Sequence, residues 1–140
     1  MAMISTMGGA SGAIFGTLFR DGGKALAGKS ELDAAGYATF LRAACDGVTA
    51  RGKAKPGDKT MVDALTPAVD ALDAAVASGA SEAEALAAAA QACAEGRDAT
   101  IPLVARKGRA SYLGERSADH QDPGATSVTM LLESAARTLA

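Results

Sequence analysis

Residues 108–127 run Gly108-Arg109-Ala110-Ser111-Tyr112-Leu113-Gly114-Glu115-Arg116-Ser117-Ala118-Asp119-His120-Gln121-Asp122-Pro123-Gly124-Ala125-Thr126-Ser127 and gather most of the chemistry in the chain. Arg109 and Arg116 suit an anion. His120, the one histidine of the sequence, stands beside Asp119 and Asp122, a set that fits a base, a metal ligand or a hydrogen-bonded loop anchor. The stretch is too polar and glycine-broken for a core helix, and too varied in composition for a disordered tract. A long loop of this kind inside a compact domain is a place to look for a site. Asp122-Pro123-Gly124 reads as a turn by composition.

Two other glycine-bearing segments carry related chemistry. Gly8-Gly9-Ala10-Ser11-Gly12 separates two helical patterns. Glycines there let backbone amides approach a ligand, and the helix that follows would favour an anion at its start; a plain helix–helix turn is the competing reading. Residues 52–59, Gly52-Lys53-Ala54-Lys55-Pro56-Gly57-Asp58-Lys59, form a loop marked by Pro56-Gly57. The spacing of a Walker lysine loop is absent. Asp58 is expected to cap the next helix, and Lys59 and Thr60 could face an anion.

Eight of the fourteen Lys and Arg residues fall in two clusters, Arg51, Lys53, Lys55, Lys59 and Arg106, Lys107, Arg109, Arg116. They describe either a solvated charge run or an anion site built from two loops. The net charge is −2, which argues against general nucleic-acid binding. No stretch is long and apolar enough for a membrane span, and no signal peptide is visible. A soluble cytoplasmic protein is therefore expected. Cys45 and Cys93 lack metal-ligand spacing and read as small core residues, with a disulfide or redox role as the alternative.

The elements that must hold these loops are helical throughout. At 140 residues the chain fits one domain, 1–140, able to bury a core of its own. It is 49% hydrophobic but only 4% aromatic, so a small-residue, closely packed helical interior is expected. Residues 1–7 resemble the end of a helix. Ala13 to about Leu26 continues the pattern with Ile14, Phe15, Leu18 and Phe19 on one side. Ser30 and Asp33 resemble a capping box for a helix with Tyr37, Leu41, Ala44, Cys45 and Val48 in one stripe, ending near Gly52. Met61, Leu65, Val69, Leu72 and Val76 give the next stripe, with Pro67 expected to kink it. Ser81 and Glu84 form a second capping box for a helix reaching about Glu95, presenting Leu86, Ala90 and Cys93. Thr126–Leu139 carries Val128, Leu131, Leu132 and Ala135. No period-two alternation occurs. The fold class is all-α, an antiparallel bundle.

The runs Gly8-Gly9-Ala10-Ser11-Gly12, Arg51 to Met61, Ala105 to Ser117 and His120 to Ser127 resemble, in order and spacing along the whole chain, the nucleotide-binding L subunit of dihydroxyacetone kinases. The resemblance implies a barrel of eight antiparallel amphipathic helices with ADP or ATP held by loops at one end. It implies a K subunit partner that carries dihydroxyacetone covalently on a histidine and receives the γ-phosphate. In the phosphotransferase-linked form, expected here, ADP stays bound and a phospho-histidine M subunit recharges it. Carried over by motif, Ala10 and Ser11 lie at the phosphates. Gly52 and Met61 line the adenine pocket, with Met61 a soft wall for a purine. Arg109 and Asp122-Pro123-Gly124 complete the nucleotide contacts, Arg109 by charge complementarity.

The chain departs from the family at one point. An aspartate-rich Gly-Asp-x-Asp-His-Gly loop, whose carboxylates hold two Mg²⁺ ions, does not occur in residues 1–140. Phosphoryl transfer depends on positioning and on charge neutralisation by metal, so little catalysis is expected from these residues alone. An incomplete ring relative to the eight-helix barrel is also expected, with an open apolar flank covered by a partner or by a second copy. The alternative to a phosphotransferase subunit is a truncated, non-catalytic module that docks on a K-like partner.

Overall fold

A computed structural model describes residues 6–139, the side chain of Ala10 excepted. Among the described residues five α-helices follow one another: α1 (Gly9–Ala25), α2 (Ala34–Gly52), α3 (Val62–Ala77), α4 (Glu82–Ala99) and α5 (Pro123–Thr138). A 3₁₀ segment, Arg109–Ser117, lies between α4 and α5. No strand occurs among the described residues. Most of the expected helix end at 1–7 falls outside the described residues, which begin at Thr6.

Each helix start has a local cause. In α4, Ser81 accepts from the Glu84 amide at 3.2 Å and Glu84 accepts from the Ser81 amide at 2.9 Å, closing the predicted capping box. The helix behind it is alanine-rich, the best helix-forming composition, and runs to Ala99, one turn beyond the expected Glu95. In α2 the cap is Asp33, whose carboxylate accepts from the Gly36 amide at 2.8 Å. The expected Ser30 cap is thus displaced by three residues; a carboxylate is as good a cap as a hydroxyl, and the apolar stripe begins only after it. For α5 the cap is Asp122, accepting from the Ala125 amide at 2.8 Å, with Pro123 in the first turn. Asp122-Pro123-Gly124 is therefore a helix start rather than a turn. Proline at the first helical position removes an amide that would have had no partner anyway.

The glycine run Gly8–Gly12 is not a free loop either. Gly8 is extended, Gly9 takes a left-handed φ of +67°, and the helix is under way from there. Glycine is what permits that abrupt entry.

α1 packs on α2, α2 on α3, α3 on α4 and α4 on α5, and α5 also reaches α3. The four-residue link 78–81 with left-handed Gly79 turns α4 back along α3 as a helical hairpin. Along the core, Val62, Leu65, Val69 and Leu72 of α3 are buried as one stripe, facing Ala85, Ala89 and Cys93 of α4. Small residues let the helices approach closely. α3 stays helical through Pro67, which leaves the Asp63 carbonyl without its usual donor four residues on. Gly96 of α4 meets α3 at that point: a Cβ there would stand 2.4 Å from the Asp63 carbonyl oxygen and 2.8 Å from Pro67 Cγ. Both cysteines are free and buried. Burial pushes the Cys93 thiol up to about 11, with its sulfur 3.4 Å from Thr129 Oγ1, and raises that of Cys45 as well.

Phe19 on α1 and Met130 and Leu131 on α5 are exposed, so both of these helices present apolar side chains outward. No helix among the described residues is long and apolar enough to cross a membrane.

Candidate functional site: a helix-start pocket with a basic rim

The odd-numbered helices all begin at one end of the bundle. Gly8 and Gly9 at the start of α1, Met61 and Val62 at the start of α3, and Asp122, Pro123 and Gly124 at the start of α5 border a single cavity of about 450 Å³. That volume lies in the usual range for a small-molecule site. A helix start carries partial positive charge and amides without intrahelical partners. Three starts aimed at one cavity make an anion-favouring end before any side chain is counted.

The glycines at this end lie in ordinary contact with the cavity's side chains. A Cβ on Gly9 would stand 3.6 Å from Arg109 Nη2, one on Gly52 3.5 Å from Ile14 Cδ1, and one on Gly124 3.5 Å from both Met61 Cβ and Met61 Cε. Ile14, Phe15, Val48 and Met61 supply apolar wall. Lys107, Arg109 and Ser11 stand on the rim and are exposed. Among the described residues, none of Arg51, Lys53, Lys55, Arg106, Lys107, Arg109 or Arg116 is in an ion pair; the pairs present involve Arg20, Arg42 and Arg97. The basic side chains of these loops are therefore not taken up in ion pairs among the described residues.

The loop carrying Arg109 is tied down internally. Ser117 is buried; its hydroxyl accepts from the Ala105 amide at 2.8 Å and donates to the Gly114 carbonyl at 2.6 Å. Ser111 donates to the Gly108 carbonyl at 2.6 Å. The chain enters the 3₁₀ segment through Gly108, at φ +68°, a left-handed torsion suited to glycine. Arg109 thus projects from a braced turn.

Of the residues singled out from sequence, Ser11, Gly52, Met61, Arg109, Asp122, Pro123 and Gly124 all border the cavity. Ala10 lies in the first turn of α1, and its side chain is outside the described residues. Asp122 is buried, and burial lifts its carboxyl above the usual aspartate range, with Asp63 adding to the effect. The amides of Ala125 and Gly124 and the Lys59 ammonium pull the other way. His120 is exposed; its contribution to the fold is a backbone carbonyl that accepts from Lys59.

Two expectations are corrected. Asp58 does not cap α3: its carboxylate turns back to the Lys55 amide at 3.1 Å. Asp63, in the first turn of α3, takes the Thr60 amide instead at 2.8 Å. Nor does Lys59 face an anion. It borders the cavity, yet its ammonium is turned to the carbonyls of Thr100, Ile101, Leu103 and His120. A lysine inside a basic cluster gives no local sign that it will fold inward. Thr100 was also invisible from sequence. It is fully buried, donates to the Arg97 carbonyl at 2.6 Å and accepts from the Asp122 amide at 3.0 Å, tying the end of α4 to the start of α5.

Asp122 is the single carboxylate among the described residues bordering the cavity, and it is engaged by backbone amides. Among the described residues no three His, Cys, Asp or Glu side chains stand together as metal ligands. These residues alone do not fit the oxygen-rich octahedral coordination that Mg²⁺ requires. They do offer apolar wall beside cationic and amide donors at the cavity's edge.

The bundle's helix starts and basic loops thus surround one cavity. Residues 1–137 match the DAK2 domain, and the chain belongs to that family. It is 45% identical over 133 residues to the PEP-dependent dihydroxyacetone kinase, ADP-binding subunit DhaL, of Escherichia coli (strain K12), covering 95% of this chain and 63% of that protein. With the PEP-dependent dihydroxyacetone kinase 1, ADP-binding subunit DhaL, of Listeria innocua the identity is 40% over 138 residues, covering 99% of this chain and 64% of that protein. With the L-erythrulose kinase of Pectobacterium atrosepticum it is 41% over 132 residues, covering 94% of this chain and 22% of that protein. The chain thus spans a little under two thirds of the DhaL relatives it matches.

Proposed function

We propose that this chain binds ADP or ATP and forms the nucleotide-holding part of a phosphotransferase acting on dihydroxyacetone or a related small ketose. The convergence of three helix starts, an unpaired basic rim and an apolar slot on one cavity is the observation that carries this reading. The names of the relatives support it: two are ADP-binding subunits of dihydroxyacetone kinases and a third is an L-erythrulose kinase.

In this reading the purine lies against Met61, Ile14 and the backbone at Gly52. The diphosphate meets the amides at the start of α1, around Ala10 and Ser11, and the guanidinium of Arg109. The turn into α5, Asp122-Pro123-Gly124, closes the opposite wall. The acceptor comes on a K-type subunit, and an M-type subunit recharges the nucleotide in the phosphotransferase-linked form. Mg²⁺, when bound, would neutralise phosphate charge. The chain's own part is to bind, orient and shield the nucleotide.

Calorimetry with ADP, with and without Mg²⁺, tests the reading on the protein and on Arg109→Ala. The variant is expected to lose about 1.5–3 kcal/mol of affinity, the scale of a hydrogen bond to a charged group. Equal affinity in both would remove Arg109 from the site. Absence of any ADP binding, with a K-type subunit still captured, would instead fit a non-catalytic docking module.

A further inference from the structure

Lys59 is among the least exposed polar residues of the chain, at 3% exposure. Its backbone is left-handed, at φ +62°, a region that side-chain-bearing residues adopt only under constraint. The constraint is visible. The ammonium donates to the carbonyls of Thr100 at 2.8 Å, Ile101 at 3.3 Å, Leu103 at 3.0 Å and His120 at 2.5 Å. Three N–H groups are shared among four acceptors. No carboxylate forms an ion pair with it among the described residues. The four carbonyl dipoles are its direct partners, in the way an oxygen cage holds a small monovalent cation, and the Asp122 carboxylate acts on it from beyond ion-pair distance.

Those four carbonyls belong to two separate stretches. Thr100 to Leu103 follow the end of α4, where carbonyls lack intrahelical partners and a cation is favoured. His120 immediately precedes the Gln121-Asp122 entry into α5. The same two stretches are joined by Asp119 N to the Ile101 carbonyl at 2.7 Å and by Asp122 N to Thr100 Oγ1 at 3.0 Å. One residue earlier, the Asp58 carbonyl accepts from the Arg106 amide at 3.0 Å, anchoring the strand of loop that leads to Arg109. The Asp58-Lys59 pair therefore sets both the α5 wall of the cavity and the approach to its basic rim.

We infer that Lys59 is a positioning residue whose ammonium acts as the built-in cation of a four-carbonyl cage, and that a small external monovalent cation can replace it once the side chain is removed. With its ammonium engaged by four carbonyls, Lys59 acts by holding the segments that carry Asp122 and Arg109. The cage stands on its own geometry, and only the nucleotide arm of the following test rests on the function proposed above.

The test uses Lys59→Ala, which opens the cage, and Lys59→Met, which keeps most of the stem but no charge. Melting temperature and amide exchange are measured in sodium chloride and in methylammonium chloride of equal concentration. Both variants are expected to melt several degrees lower than the parent. Exchange at the amides of Asp119, Asp122 and Arg106 is expected to speed up roughly ten- to a hundredfold, the loss matching hydrogen bonds to a charged group. Methylammonium is expected to restore stability and protection in Lys59→Ala, but not in Lys59→Met, where the stem blocks entry. Equal responses of both variants to methylammonium, or unchanged exchange at those three amides, would overturn the cage. ADP affinity is read in parallel. Its loss and its return with methylammonium in Lys59→Ala extend the role to the site. Rescue of stability in a protein that never binds ADP would leave the cage standing and refute the nucleotide reading.

Discussion

Replacing Gly96 with alanine places one methyl group where the α3–α4 contact has no room. The new Cβ would lie 2.4 Å from the Asp63 carbonyl oxygen, 2.8 Å from Pro67 Cγ and 2.9 Å from Ala64 Cα. Two of these three atoms are backbone and the third is in a proline ring, so no flexible side chain can swing aside. The helices themselves must part, loosening the fully buried Leu65 and Ala64 around the contact. Overpacking of a filled core costs about 1–3 kcal/mol, and a rigid obstacle puts Gly96→Ala at or above the top of that range. Alanine's better helix propensity returns roughly 0.5–1 kcal/mol. The net expectation is about 2 kcal/mol of destabilisation. At an unfolding entropy of ~2.1 cal/mol/K per residue, a chain of 140 residues loses about 7 °C of melting temperature. Thermal denaturation followed by circular dichroism reads this directly. Gly23→Ala is the matched control: it is exposed near the end of α1, and a Cβ there meets nothing within 4 Å. That variant is expected to hold or raise the melting temperature, by up to about 1 kcal/mol of propensity. A Gly96→Ala protein as stable as its parent would refute the close-contact reasoning and show that α3 and α4 separate at little cost.

Two further predictions concern ionisable groups. Burial raises the Asp122 carboxyl in the folded protein, so the native state holds this proton more tightly than the unfolded chain does. Between the ordinary aspartate range near pH 4 and the raised folded value, ionisation costs the native state, and stability from this group falls as pH rises. Asparagine caps a helix as well as aspartate and does not titrate. The stability of Asp122→Asn relative to the parent should therefore climb from pH 4 towards pH 7 in melting experiments, and a constant difference across that range would contradict the assignment. With its thiol pushed up to about 11 and its side chain fully buried, Cys93 should resist thiol reagents at neutral pH and react only after denaturant is added. Rapid labelling of the native protein, located to Cys93 by peptide mass, would count against the packing of α4 on α5.

The sequence by itself determined the helical class, the buried stripes of α2 and α3, and the Ser81–Glu84 start of α4, because each depends on residues three or four apart along one chain. It also marked glycine-bearing, basic loops that border the cavity, those of Arg109 and Asp122-Pro123-Gly124 among them, while Gly52 and Met61 were singled out only by the resemblance of their run to the family. Where the local signal had two physical outcomes, tertiary structure chose between them. Aspartate, proline and glycine suit a turn and a helix start equally, and at 122–124 the buried Thr100 hydroxyl awaiting the Asp122 amide favours the helix start. Asp33 rather than Ser30 caps α2 because the apolar face to be buried begins beyond it. The length of α4 follows from its packing on α3, which only a glycine at 96 allows. Lys59 is the clearest case. Its neighbours Arg51, Lys53 and Lys55 give it the pattern of a solvated or anion-facing lysine, but its four partners lie 41 to 61 residues away. A side chain turns inward only when distant carbonyls have been assembled to receive it, and no window of local sequence contains that information.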